Sequence, residues 1–160
     1  SPNMGGIRKM GEHRPRNPEY DRVIRESFSK QGIMKHMGAE VGDVAPGRCE
    51  IRLPYSDDLS QQHGFFHGGG VGTIADSAGG YAAFSLMEEG DGILTVEYKI
   101  NLMAPADGEL LIARGEIVKA GRTLSVSRAE VDVIKDGKVT LCAVMQQTLM
   151  RIVGRPDVSG

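Results

Sequence analysis

Cysteine and histidine are scarce in this 160-residue sequence, and their scarcity excludes whole classes of site. The two cysteines, Cys49 and Cys142, stand alone, so we expect no disulfide framework and either a reducing compartment or simple core filling. The four histidines share no spacing that would hold a metal ion, and they are His13, His36, His63 and His67. The composition therefore predicts a protein without a metal site.

Long apolar runs and a large excess of charge are also absent. No run approaches the roughly 20 residues needed to cross a bilayer, and the N-terminus lacks the apolar core of an export signal. The formal net charge of -2 gives no reason to expect a nucleic-acid partner. We therefore expect a cytoplasmic protein that binds neither membrane nor nucleic acid.

The length and the hydrophobic content of 40% fit one domain with a sizeable core. Residues 1–17 and 154–160 are rich in glycine, proline and arginine, which is typical of loose chain ends. The sequence therefore predicts a flexible N-terminal segment over 1–17, a single domain over 18–153 and a flexible tail over 154–160.

A helix and two short strands open the predicted domain. Asn17-Pro18-Glu19 is typical of a helix start, and helical spacing of apolar residues continues to about Gly32. These apolar residues are Tyr20, Val23, Ile24, Phe28 and Ile33. Extended segments over 39–44 and 48–54 follow, on either side of the turn residues Pro46-Gly47.

A long helix is predicted from about His67 to Glu89. One stripe of it is apolar, and the other face sets a lone carboxylate, Asp76, among glycine and alanine. Each glycine in a helix costs roughly 1 kcal/mol against alanine, so something must approach this face closely. Tight packing on a sheet or another helix explains the glycines equally well, but it does not explain the acid.

Four strand segments complete the chain. They cover residues 94–103, 110–119, 122–135 and 138–152. The first alternates apolar and polar residues, which is typical of a half-buried strand. Glycine-containing turns between the segments, such as Asp107-Gly108 and Asp136-Gly137, favour antiparallel hairpins. We predict an α+β fold in which these strands form a meander and the long helix covers one face.

The segment from Gln61 to Gly70 and the acid that follows it point to acyl-transfer chemistry. Glycines leave the N–H groups of a helix N-terminus open to a ligand, and this end carries partial positive charge. It suits a carbonyl oxygen that becomes an oxyanion; it also suits a phosphate, although no Walker lysine follows. Asp76 can act as a general base or a nucleophile, or it can simply cap or pair locally.

Distance along the helix adds a constraint. Gly68 and Asp76 are eight positions apart, which places them roughly 12 Å apart along the helix axis. A reacting carbonyl must lie about 3 Å from its oxyanion donors and close to the attacking group. One chain cannot easily supply both groups to one carbonyl, whereas two copies with opposed helices can. We therefore expect a homodimer with shared sites.

These residues resemble the PaaI-like (phenylacetate-pathway) family of hotdog thioesterases. The family pattern is an amide residue, then G-x-x-H-G-G, then an acid nine residues after the histidine. It reads here as Gln61, Gly64, His67-Gly68-Gly69 and Asp76, and the resemblance extends over about residues 35–152. It implies the hotdog fold, a curved antiparallel sheet wrapped around one long helix, and hydrolysis of an acyl-CoA thioester.

The resemblance also implies catalytic roles at the matching positions. Asp76 corresponds to the carboxylate that activates water or attacks the thioester, and Thr95 to a hydroxyl that helps to hold the water. The Gly68 N–H corresponds to the donor that polarises the thioester carbonyl. Gln61 shares that task, although many relatives have asparagine there. His67 either orients the loop or binds near the sulfur, or it is only a helix cap.

The substrate-binding residues implied for CoA and the acyl group are Gly69, Phe66, Arg122, Gly121 and Thr123. CoA phosphates need basic groups, and Arg122 in the predicted 119–123 hairpin is the first candidate for them. CoA is then part of the substrate, and no resident cofactor is expected. The acyl group stays open between aromatic and short- or medium-chain types. The family implies a homotetramer, a dimer of dimers.

Two other functions compete with the thioesterase interpretation. The first is an acyl-CoA-binding hotdog domain without turnover, which the combination of Asp76, Gln61 and the glycine turn disfavours. The second is a hydratase or dehydratase of the same fold. Such enzymes pair a histidine with an acid in other loop contexts, and this sequence shows no such motif.

Overall fold

A computed structural model describes residues 13–160. The helices are α1 (Tyr20–Ser29), α2 (Gly32–Met37) and α3 (Gly68–Phe84), with two short 3-10 turns at Asp57–Leu59 and Pro156–Val158. The strands are β1 (Glu40–Ala45), β2 (Arg48–Pro54), β3 (Gly92–Leu102), β4 (Leu110–Ala120), β5 (Leu124–Lys135) and β6 (Lys138–Ile152). Within this described range, no helix combines the length and apolar character that a membrane span requires. Residues 1–12 of the predicted flexible segment lie outside it.

The strands form one antiparallel sheet in the order β1-β2-β4-β5-β6-β3. Helix α3 packs against β2, β3, β4, β5 and β6, because almost all of its circumference is apolar or glycine. This arrangement confirms the predicted α+β hotdog fold, a sheet wrapped around a long helix.

The predicted meander of the last four strands is wrong at β3. Strands β4, β5 and β6 do follow one another through hairpins, but β3 pairs with β6 at the far edge of the sheet. The connection over residues 103–109 contains Pro105 and is too long for a tight hairpin, so the chain crosses the end of the sheet before β4 begins. Asp107-Gly108 lies in this crossing.

Two of the predicted turns have the backbone conformation that their residues favour. Asp136 and Gly137 both have positive φ, 49° and 79°, as a two-residue type I′ turn between β5 and β6 requires. Gly47 has a φ of 80° in the β1–β2 turn. The register of both hairpins therefore follows from local sequence.

A close approach between α3 and β4 sets the distance between the helix and the sheet. A Cβ on Gly115 of β4 would lie 2.1 Å from the Ala78 carbonyl oxygen of α3. Only glycine admits such contact between two backbones. The core then closes around this contact, and its most buried large side chains include Ile24, Met34, Ile51, Leu53, Ile74, Leu111 and Leu149.

The predicted helix bounds need two corrections. Helix α3 ends at Phe84 rather than near Glu89. Just after this end, the Ser85 hydroxyl donates to the Ala82 carbonyl and accepts from the Gly47 N–H. Such bonds between a serine and the backbone compete with the helical pattern. The first predicted helix ends at Ser29 rather than near Gly32, and a second helix that was not predicted, α2, begins at Gly32. Ile33, expected on the apolar side of the first helix, lies in α2 and is 53% exposed.

The alternation in β3 predicted a half-buried strand, but within one chain most of β3 is exposed. Val96, Tyr98 and Leu102 are 59%, 47% and 55% exposed, and the ladder to β6 is bulged between Thr95 and Glu97. The apolar residues of this edge strand therefore lack cover in the single described chain. At the other end of the chain, the Gly160 N–H donates to the Asp91 carbonyl, while the predicted looseness of 154–160 stays a prediction.

Candidate active site

The N-terminus of α3 is capped by the histidine that precedes it. His67 Nδ1 accepts the Gly69 N–H at 2.8 Å, and the His67 carbonyl accepts the N–H groups of Gly70 and Val71. Nδ1 therefore carries no proton, which places the proton of a neutral ring on Nε2. The Gly68 N–H has no acceptor within residues 13–160. Of the N–H groups in this turn, Gly68 is thus the one open to a ligand.

The loop before α3 holds an amide and an aromatic ring beside this N–H. Gln61 Oε1 accepts N–H groups of His63 and Phe65, which folds the loop. Its Nε2 donates to no residue in the described part of the chain, so this group is free to donate to a ligand. Phe66 is 3% exposed and packs edge-on against Tyr55. Gln61, Phe66 and Gly68 line one pocket of about 190 Å³.

Asp76 lies on α3, half-buried, with one carboxylate oxygen held by two donors. Thr95 Oγ1 of β3 donates to Asp76 Oδ1 at 2.7 Å, and Gln147 Nε2 of β6 donates to the same oxygen at 2.8 Å. Asp76 Oδ2 accepts no hydrogen bond from the described residues. The carboxylate is therefore fixed through one oxygen while the other stays available.

Gln147 did not emerge from the sequence as a site residue. It is 2% exposed and lies on the inward side of β6, between Met145 and Leu149. A polar residue in the buried phase of an otherwise apolar alternation is the signal that marks it. Its contact with the Asp76 carboxylate cannot be predicted from this signal, because it depends on the position of β6 beneath α3.

A pocket of about 340 Å³ opens beside Asp76. Asp76, Ser77, Tyr81, Phe84 and Thr95 line it, together with residues of α1, β3 and the end of the chain. At its far wall the Tyr81 hydroxyl accepts a hydrogen bond from Gln31 Nε2 at 2.6 Å and pairs with Ser27 Oγ at 3.0 Å. Burial raises the pKa of Tyr81, so this hydroxyl stays protonated at neutral pH.

The predicted catalytic residues therefore fall into two groups on one chain. Asp76 and Thr95 line the larger pocket, Gln61 and Gly68 line the smaller one, and no described residue lines both. Helix α3 contains both Gly68 and Asp76, so they lie about 12 Å apart along its axis. One chain does not bring the two groups onto a single carbonyl.

The predicted CoA residues form a third group, at the turn between β4 and β5. Arg122 and Thr123 are exposed, and Gly121 lines a small pocket with Ala83 and Leu86, beside the C-terminal end of α3. Because α3 spans about 24 Å, this turn lies far from Gly68 of the same chain. Gly69, also predicted to bind substrate, already donates its N–H to His67.

Both cysteines are buried thiols. Burial raises the pKa of Cys49 to about 12 and that of Cys142 to about 11. Neither thiol is therefore ionised at neutral pH, and neither serves as a nucleophile. Among residues 13–160, no cluster of histidine, cysteine, aspartate and glutamate has the arrangement of a metal site.

Comparison with known proteins identifies the family to which the chain belongs. A family model described as the thioesterase superfamily matches residues 63–140. A thioesterase family protein from Silicibacter pomeroyi, of known structure, is 48% identical, with a TM-score of 0.83 over 84% of this chain and 99% of its own. A relative from Halobacterium salinarum, which carries a provisional esterase name, is 30% identical over 117 residues, 70% of this chain and 76% of its own.

Two further similarities bear on the family type. The 1,4-dihydroxy-2-naphthoyl-CoA hydrolase of Listeria monocytogenes is 23% identical over 111 residues, 69% of this chain and 89% of its own. The E. coli PaaI protein, from the phenylacetic acid degradation operon, shares the fold with a TM-score of 0.74 at 18% identity, over 85% of this chain and 95% of its own. The likeness to PaaI is one of fold, as the resemblance implied, and the chain is a thioester hydrolase that belongs to the thioesterase superfamily.

Proposed function

We propose that this thioester hydrolase acts on acyl-CoA, with Asp76 as the general base or nucleophile and the Gly68 N–H as the donor that polarises the carbonyl. One observation carries the proposal. Asp76 is fixed through Oδ1 by Thr95 and Gln147, while Oδ2 is available beside a pocket of about 340 Å³. A carboxylate held in this way is oriented for reaction.

In the general-base route, Asp76 Oδ2 takes a proton from water as the water oxygen attacks the thioester carbon. The carbonyl oxygen becomes an oxyanion, which the Gly68 N–H and the free Gln61 Nε2 stabilise. The C–S bond then breaks, and the CoA thiolate takes the proton from Asp76. The products are a carboxylic acid and free CoA.

In the nucleophilic route, Asp76 Oδ2 attacks the same carbon and the CoA thiolate leaves, which forms a mixed anhydride on the enzyme. Water then cleaves the anhydride; one of its protons stays with the released acid and the other passes to the CoA thiolate, which restores the Asp76 carboxylate. Single turnover in ¹⁸O-labelled water separates the routes, because only the nucleophilic route can place label in the Asp76 carboxylate. Thr95 and His67 support either route, the former by its bond to Asp76 and the latter as the cap that opens the Gly68 N–H.

Each site of the proposed enzyme is shared by two chains. In the sheet of the described residues β3 pairs only with β6, so its other edge is available to a second copy. Its side chains Val96, Tyr98 and Leu102 are exposed and apolar. Antiparallel pairing of two β3 strands would set two α3 helices in opposite directions and bring Gly68 of one chain towards Asp76 of the other. Two such dimers would form the expected tetramer.

Different residues are proposed to bind the CoA and the acyl group of the substrate. The naphthoyl-CoA hydrolase activity of the Listeria relative supports a CoA ester. We assign the CoA phosphates to Arg122 and the turn Gly121–Thr123. If the two α3 helices run in opposite directions, this turn lies near the loop that precedes α3 in the other chain. We assign Phe66 and Gly69 to the thioester end of the substrate. The pocket beside Asp76, with Tyr81 and Phe84 in its wall, suits an aromatic or short- or medium-chain acyl group.

Release of free thiol from a panel of aromatic, short-chain and medium-chain acyl-CoAs tests the proposal, with Asp76→Asn as the matched variant. Wild-type protein is expected to release thiol from part of the panel without added metal or cofactor. The variant is expected to lose at least about 1,000-fold in kcat while it still binds acyl-CoA. No release from any member of the panel would favour the acyl-CoA-binding alternative, and hydration of an enoyl-CoA without thiol release would favour a hydratase.

A further inference from the structure

The side chain of Gln147 joins the β-sheet to the carboxylate of Asp76. Its carboxamide lies on β6, opposite Tyr98 of β3 and Ser127 of β5, and it is 2% exposed. Nε2 donates both to Asp76 Oδ1, at 2.8 Å, and to the Asp76 carbonyl, at 3.3 Å. One amide thus holds the side chain and the backbone of the same residue.

The burial of this amide carries a cost that packing alone does not explain. Gln147 Oε1 is buried and has no donor among residues 13–160. A buried acceptor without a partner destabilises a fold, and an apolar side chain of similar length would avoid that loss. A glutamine that persists in such a place is expected to serve a purpose other than stability.

Gly79 of helix α3 leaves the space that the Gln147 amide occupies. A Cβ on Gly79 would lie 1.8 Å from Gln147 Oε1, so no other residue at position 79 leaves the amide where it is. Gly79 lies one helical turn after Asp76, and glycine in mid-helix weakens the helix. Two unfavourable features, a glycine in the helix and an unpaired amide oxygen, are therefore in direct contact with each other. This contact lies next to the Asp76 carboxylate.

We infer that Gln147 is a positioning residue, which acts with Thr95 to hold Asp76 Oδ1 and thereby makes Oδ2 the reacting oxygen. The inference rests on the proposed function. Both donors approach the same oxygen, so rotation of the carboxylate that would exchange its oxygens breaks two hydrogen bonds. The Thr95 hydroxyl uses its only proton in the hydrogen bond to Asp76. Towards a nearby water it can therefore act only as an acceptor, so the water points an O–H at Thr95 and its lone pairs point elsewhere.

Three variants test the inference in the thiol-release assay. Gln147→Met keeps the length of the side chain and removes Nε2 with both of its hydrogen bonds to Asp76, while the bond from Thr95 stays. Gly79→Ala leaves Gln147 in the chain but displaces its amide, and alanine also favours the helix. Ser127→Ala is the matched control, because Ser127 is the buried neighbour of Gln147 on β5 and its hydroxyl has no partner among the described residues.

Misplacement of a reacting group by about 1 Å costs on the order of 100-fold in rate. We expect kcat to fall by about this factor in Gln147→Met and in Gly79→Ala, with KM for acyl-CoA within about threefold of wild type because binding groups are untouched. The thermal midpoint of Gln147→Met is expected to match or exceed that of wild type, since the unpaired amide oxygen is removed. Ser127→Ala is expected to keep wild-type kcat.

A purely structural role predicts the opposite pattern. Wild-type kcat in Gln147→Met, or a loss of kcat that follows a lower thermal midpoint in both variants, would overturn the inference. Asp76→Asn in the same assay separates this result from failure of the proposed function. If wild type releases thiol and Asp76→Asn does not, the function stands whatever Gln147→Met does.

Discussion

At the scale of single residues, the backbone N–H of Gly68 can be removed without disturbing the helix. Proline is favoured at the first position of a helix, and His67, at φ -64° and ψ 139°, already has the conformation required before proline. Gly68→Pro is therefore expected to fold and to lose about 100- to 1,000-fold in kcat, because an oxyanion donor is gone.

Thiol release and circular dichroism measure this change. Gly68→Ala is the matched comparison, since it adds a Cβ but keeps the N–H, and that Cβ meets only the mobile end of Leu102 at 2.8 Å. Equal rates in the proline and alanine variants would show that the Gly68 N–H does not polarise the carbonyl.

The two thiols give a pH-dependent prediction. Because burial raises their pKa to about 12 for Cys49 and about 11 for Cys142, both stay protonated until the pH is far above neutral. Iodoacetamide at pH 8 is therefore expected to modify the native protein at least about tenfold more slowly than the unfolded protein, in which both thiols have ordinary pKa values. Rapid labelling of two thiols in the native state would contradict the burial of these residues.

Sequence reasoning at this scale succeeded where a motif is local. Gln61, Gly68 and Asp76 lie within a short segment, so their spacing alone predicts a helix N-terminus and an acid two turns later. Gln147 could not be predicted in the same way. Its contact with Asp76 depends on β6 passing beneath α3 and next to β3, which is a property of the sheet order.

At the scale of elements, the approach of β4 to α3 is the most constrained contact of the fold. A Cβ on Gly115 would meet backbone atoms of Ala78 and Gly79 between 2.1 and 2.5 Å away, and backbone cannot turn aside as a side chain can. Gly115→Ala is therefore expected to lower the free energy of unfolding by about 1–3 kcal/mol or more.

Urea unfolding of Gly115→Ala measures this loss. Gly32→Ala, at the start of α2, serves as its control because a Cβ there meets nothing within 4 Å, and it should change stability by less than about 0.5 kcal/mol. An unchanged midpoint for Gly115→Ala would mean that α3 moves away from the sheet at little cost.

The elements also show which signals in a sequence determine strand order. The hairpins β1–β2 and β5–β6 are set by turn residues with positive φ, and both were predictable. The place of β3 was not, because a crossover of seven residues specifies no neighbour. Its alternating pattern was correctly identified as a strand, but the cover for its apolar side is absent from the described chain.

At the scale of the whole molecule, the separation of Gly68 from Asp76 makes a prediction about mixed dimers. Gly68→Pro and Asp76→Ala chains should each be inactive alone. In a mixed dimer one site would contain both defects, whereas the other would combine an intact Asp76 with an intact Gly68. Unfolding and refolding the two together is expected to restore about a quarter of wild-type activity, since half of the dimers are mixed and each has one working site.

Thiol release before and after co-refolding measures the recovery, and each variant refolded alone is the control. A mixture that stays inactive, although size-exclusion chromatography shows dimers, would place both groups of each site on one chain.

The contact between Gly79 and Gln147 also limits how this chain can evolve. The two residues are 68 positions apart, yet a methyl group at one and the amide at the other would occupy the same space. A lineage can therefore acquire alanine at 79 without strain only after residue 147 has become shorter, and the order of the two substitutions matters. Among descendants of this protein, the identities of these two positions are expected to vary together.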